Sequence, residues 1–129
     1  MYNVQFAEIE GRKIPMKMTI RATEKIKQWH GDIEEWIKDI DGSRGIDRLM
    51  NACISGVIAL GESGAAYLDM MREPHSELYS KQELELFVDP PLCTSVLIPV
   101  LIACINESTK RTVDIDEEPS KNEEPALEN

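Results

Sequence analysis

Few residues in this 129-residue chain have the type and spacing that chemistry needs. The octapeptide Gly56-Val57-Ile58-Ala59-Leu60-Gly61-Glu62-Ser63 carries the glycine spacing of a phosphate-binding loop. Glu62 stands where that motif has lysine, and the stretch follows a helical pattern rather than a strand. A carboxylate there repels phosphate, so the spacing predicts a helix break or tight packing, not nucleotide binding. His30 and His75 are the only histidines, and neither has a ligand partner at metal-binding spacing on one helix face. His30 fits the last turn of a helix, where the dipole favours a cation; His75 fits a loop. A nucleophilic thiol needs an exposed, electropositive setting, whereas Cys53, Cys93 and Cys104 all lie in apolar stretches. Odd in number and not closely spaced, they fit reduced, buried thiols of a cytosolic protein. Glu34, Glu35, Asp39 and Asp41 fit a solvated face better than a general acid–base pair. No catalytic residue, cofactor site or metal site is expected, and an enzyme is not the expected class.

Charge narrows the partners. The net charge is −10, which argues against nucleic-acid binding, since that needs clustered Lys and Arg. Residues 112–129 hold seven acids against Lys121, a net of −6 that leaves −4 for residues 1–111. The chain therefore divides into an α-rich domain, 1–111, and an acidic tail, 112–129, with too few apolar groups to order itself. The opening Met1-Tyr2-Asn3-Val4-Gln5 lacks a basic segment followed by an apolar one, so no secretory signal is expected.

The elements that carry these groups begin with a hairpin over residues 2–20. A three-residue loop, Ile9-Glu10-Gly11, puts Phe6 opposite Ile14, Val4 opposite Met16 and Glu8 opposite Arg12, with the apolar pairs on one face. Pro15 places its strand at an edge. From Arg21 the apolar period changes to 3.6, through Ile26, Trp29, Ile33, Trp36, Ile37 and Ile40. His30-Gly31-Asp32 with Glu35 carries stop and start chemistry, which predicts two helices, 21–30 and 33–40. A long helix follows from Ile46, secure to about Leu60. Near Gly61–Gly64 it either breaks or lets another backbone pack closely. Ser80-Lys81-Gln82-Glu83 is a capping box, and Asp89-Pro90 opens a last helix to about Asn106 that Pro99 should kink. The fold class is mainly α with a small N-terminal β-hairpin, about five helices in all.

The run Leu92–Ile105 contains no charged side chain. At 14 residues it is short of the roughly 20 that cross a bilayer, so no membrane contact is expected. Either it is buried within the domain, or it is half buried in a partner through Leu97, Val100, Leu101 and Ile105. Trp29 and Trp36, seven apart on the apolar stripe, are first core residues and second partner anchors.

Ile9-Glu10-Gly11-Arg12-Lys13 at the turn, then Met16-Lys17-Met18-Thr19-Ile20-Arg21-Ala22, Gly31-Asp32-Ile33-Glu34-Glu35 and Ser80-Lys81-Gln82-Glu83-Leu84-Glu85, occur in an order that resembles the tail assembly chaperones of long-tailed bacteriophages and prophages. The likeness, one of pattern and element order, covers about residues 3–107. It implies a non-enzymatic helper in the host cytoplasm that keeps the helical tape-measure protein soluble during tail assembly. The tail tube protein and a second copy of the chain are further possible partners. A different class is an acidic decoy that offers Glu34, Glu35, Asp39 and the tail to a basic, nucleic-acid-binding protein.

Overall fold

The computed structural model describes residues 3–117, with side chains from 3 to 109. Strands β1 (Gln5–Ile9) and β2 (Arg12–Met16) form an antiparallel hairpin. Helices α1 (Ile20–His30), α2 (Ile33–Ile40), α3 (Ile46–Met70) and α4 (Lys81–Phe87) follow. A short α5 (Pro90–Leu92), a π turn (Cys93–Leu97) and α6 (Ile98–Glu117) then run on as one rod. The expected mainly helical fold with an N-terminal hairpin is what the chain adopts.

The hairpin register differs from the one expected. Its loop is two residues, with Glu10 at φ 48° and Gly11 at φ 84°, the paired left-handed conformation that matches strand twist. Ala7 therefore faces Ile14, Phe6 faces Pro15, and Glu8 faces Lys13. Alternation misled because β2 is covered on both faces: Ile14, Pro15 and Met16 are consecutive buried residues. The strand that should have told in from out has no outside. Phe6, expected inside, is half exposed, while Ala7 and Ile9 are buried.

Helix α3 is the centre. It touches β2, α1, α2, α4 and the π turn, while α6 covers β1 and β2 from the other side. Its glycines do not break it. A Cβ on Gly64 would lie 2.5 Å from the Pro15 carbonyl oxygen, and one on Gly56 2.8 Å from Leu101 and 2.9 Å from Trp36. Backbone meets backbone at the first site. There the Lys17 N–H donates to the Leu60 carbonyl inside α3 at 3.1 Å, using the second lone pair of a helical acceptor.

The caps follow the expected residues. Asp32 accepts from the Glu35 N–H, and Gly31 at φ 97° closes α1. Ser80 and Glu83 cap α4 reciprocally, and Asp89 accepts from the Leu92 N–H with Pro90 in the first turn. Pro99 is absorbed by the π turn just before it, where the Ile98 N–H reaches back five residues to Cys93; wide turns of this kind commonly accommodate a disrupted helical ladder. The Tyr79 hydroxyl donates to the Ile9 carbonyl at 2.7 Å, tying the hairpin tip to the loop before α4.

One boundary is corrected. α6 continues to Glu117, past the expected end near Asn106. The composition shift at Thr112 is no stop signal for the helix. The remainder of the acidic tail, 118–129, lies outside the described residues.

The glycine contacts make a graded prediction. Gly64→Ala, which drives a methyl into rigid backbone, should destabilise the protein by about 1–3 kcal/mol. At Gly61 the nearest atom to an added Cβ is an Ile14 methyl at 3.4 Å, so Gly61→Ala should be neutral or stabilising by up to about 1 kcal/mol. Urea titration of the two variants checks the order; equal effects would contradict it.

Candidate partner-binding surface

Thr19 sets the geometry of the first candidate site. Its hydroxyl oxygen accepts from the Ala22 N–H at 3.1 Å, capping α1, and its O–H donates to Ser63 Oγ at 2.7 Å. The first turn of α1 is thereby pinned to α3. The next residue, Ile20, is turned to solvent and 79% exposed, as is Met70 at the end of α3. Both border a groove of about 260 Å³, with Ala66 and Tyr67 along α3 and Arg21 at its edge. The Lys17 ammonium stands 4.5 Å from the Tyr67 ring centroid. Large aliphatic side chains exposed together in this way are suited to covering by another molecule.

A second cavity, of about 350 Å³, lies between the end of α1, the middle of α3 and the start of α4. Trp29, Ile54 and Ile58 supply its apolar surface, and His30, Asn51, Ser55 and Lys81 its polar one. Trp29 is 45% exposed, so it is available to a partner as a half-covered anchor.

The other residues singled out for partner contact are placed differently. Leu97, Leu101 and Trp36 are wholly buried in the core. Trp36 donates its indole N–H to the Ala52 carbonyl at 3.0 Å, and Leu101 rests on Gly56. Val100 and Ile105 are half-buried against the same core. One face of the rod, Cys93, Leu97, Leu101 and Cys104, closes the protein over the hairpin, while only 22% of the rod's most apolar window is buried. Sequence reasoning missed Ile20 and Met70, since each sits at a helix end where periodicity has no face to assign.

By length and composition alone, two helices among the described residues would suffice to cross a bilayer: Ile46–Met70, and the 20-residue Pro90–Thr109 with mean hydropathy 1.6. The charge-free run thus belongs to a longer helix than its own 14 residues. Of the most apolar window in Ile46–Met70, 67% is buried within the protein.

Asp39 corrects the picture of a solvated acidic face. Its side chain is 6% exposed and lies 3.4 Å from Arg44, 3.5 Å from Arg48 and 3.6 Å from His30 Nδ1. Glu35 binds the Arg44 guanidinium at 2.7 Å. A buried carboxylate is kept when paired, and this one knits α1, α2 and the start of α3. Of the residues proposed for a basic partner, Asp39 is thus spent internally and Glu35 is engaged.

Compared with protein-family models, with curated proteins and with solved structures, the chain matches none. Its functional reading therefore rests on its own geometry and on the resemblance above.

The thiols come closer than their spacing suggested: Cys53 and Cys93, both buried, are near enough for each to shift the other's titration. Contact with Cys93, followed by burial, pushes the Cys53 thiol up, while contact with Cys53 draws the Cys93 thiol down against the opposing effect of burial. Burial pushes Cys104 up to about 12. All three are buried, so none should react with an aromatic disulfide reagent at about pH 8 in the native state, and all should on unfolding. Absorbance of the released thiolate measures this.

His75 Nδ1 stands 2.8 Å from the Ser76 carbonyl and Nε2 2.8 Å from the Asp69 carboxylate; both oxygens accept, so the protonated ring donates to both. The Ser76 carbonyl first, and Asp69 second, raise its pKa above the usual 6.5. Protonated His75 therefore stabilises the end of α3 fully below 6.5, and the effect fades as pH rises through the raised value. His75→Gln should lower the urea midpoint at about pH 5.5 and not at about pH 9; a gap that persists at high pH would contradict the ionic account.

Proposed function

We propose that this chain is a non-enzymatic assembly chaperone that covers the apolar face of a helical client. The observation that carries the reading is the groove between the first turn of α1 and the last turns of α3, bordered by Ile20 and Met70, each 79% exposed. These are poor residues to leave in water. Burying such a side chain gains about 1.5–3 kcal/mol relative to exposure, enough for two or three of them to hold a client reversibly once association costs are met. An amphipathic helix presents its apolar residues at i, i+3, i+4 and i+7, the pattern that fits a groove between two helices.

The resemblance to phage tail assembly chaperones supplies the physiological version. The client is then the tape-measure protein, a long helical chain with apolar faces, held in the host cytoplasm while tail tube subunits gather. The net charge of −10 supports the role by keeping a chaperone–client complex soluble through mutual repulsion. An acidic decoy is the weaker reading, because Asp39 and Glu35 are committed to Arg44, Arg48 and His30.

The test is co-expression with the tape-measure protein encoded nearby on the same genome. The wild-type chain should co-purify with it and raise its soluble yield. Ile20→Asp combined with Met70→Asp should lower both at least about tenfold, by removing apolar burial from the contact. Circular dichroism should be unchanged, since both residues are surface residues. Leu101→Asp should instead unfold the protein. Full co-purification by the doubly substituted chain would reject the groove.

A further inference from the structure

Resting on the chaperone reading, we infer that the Ile20–Met70 groove selects helices that carry an acidic side chain beside their apolar stripe. The argument is one of charge complementarity. Arg21 lies at the edge of the groove, is exposed, and makes no ion pair among the described residues. Lys17, over the Tyr67 ring, gives its ammonium to the Asn3 carbonyl at 3.0 Å and does not line the groove. The first turn of α1, which forms the opposite wall, contains no acidic residue, and Thr19 caps its Ala22 N–H. Arg21 is thus a local cationic point on a chain that is otherwise strongly acidic.

The nearby carboxylates do not cancel it. Glu62, one position before Ser63, is ion-paired to Lys25. Asp69, beside Met70, is held by His75. Glu24 lies one turn beyond Arg21 on α1, is exposed and forms no ion pair among the described residues; its competition for Arg21 weakens the preference. A client carboxylate reaching Arg21 can accept two parallel N–H bonds from the guanidinium. A lysine at that place meets a like charge at the edge of a desolvated contact, which costs affinity. The apolar walls then hold the client, and the cation decides its register and direction.

Three synthetic helical peptides test this, identical in an apolar stripe at i, i+4, i+7 and i+11 and differing only in flanking Glu, Gln or Lys. Binding to the full chain is read by anisotropy of a labelled peptide at low and moderate salt. The Glu peptide should bind roughly fivefold or more tightly than the Lys peptide, and the gap should narrow with salt. Arg21→Gln should abolish the preference while leaving the Gln peptide within about twofold, as expected for loss of a rim charge. Equal binding of the Glu and Lys peptides, or a preference that survives Arg21→Gln, overturns the inference and leaves the chaperone reading standing. Failure of all three peptides, with Ile20→Asp making no difference, overturns both. Sedimentation of the free chain separates the remaining case. A dimer that dissociates on Ile20→Asp makes a second copy the occupant, which also overturns the inference.

Discussion

Everything in this fold depends on how closely α3 can approach β2. At Gly64 the helix carries no side chain and the Pro15 carbonyl occupies the space a Cβ would take. One step away, the Lys17 N–H reaches into the helix and bonds the Leu60 carbonyl. Helix–sheet contacts are normally spaced by side chains; here one edge of the hairpin is sealed by helix backbone. Edge strands left open pair with other chains, so the same contact that fixes the distance also protects the edge. Gly64 costs helix propensity, but nothing larger fits at that separation.

From that contact the remaining layers follow. With β2 seated on α3, the other face of the hairpin needs a cover, and the charge-free rod is the cover. Its buried residues recur at Cys93, Leu97, Leu101 and Cys104, and Gly56 lets Leu101 and Trp36 meet over the centre of α3. One face of the rod is spent on the chain itself, although only 22% of its most apolar window is buried and Ile102 is 46% exposed. Further apolar surface lies where Thr19 and Ser63 hold Ile20 in an exposed position and Met70 ends α3.

Much of this was legible in the sequence. The split between α1 and α2 is written in Gly31 and Asp32, the start of α4 in Ser80 and Glu83, and the start of the rod in Asp89 and Pro90. These are local signals: a cap satisfies its own backbone and needs no tertiary information. What was not legible is non-local. The hairpin register turned on β2 being covered on both faces, which no period-two pattern encodes. Asp39 looked solvated because its partners, Arg44 and Arg48, belong to the next loop and helix. The candidate groove escaped because Ile20 and Met70 come together only when α1 and α3 pack, fifty residues apart in the chain. Leu97, Leu101 and Trp36 are wholly buried within the chain, a depth that periodicity alone does not report.

The order in which the layers close matters during synthesis. Ala7 and Ile9 in β1 are covered by the rod, whose residues are added about ninety positions later. At translation speeds of roughly 5–20 residues per second, the earliest strand to leave the ribosome waits several seconds for its lid. For that interval the nascent chain offers its own greasy ribbon to the surroundings, so a protein proposed to shelter others is itself briefly unsheltered at birth.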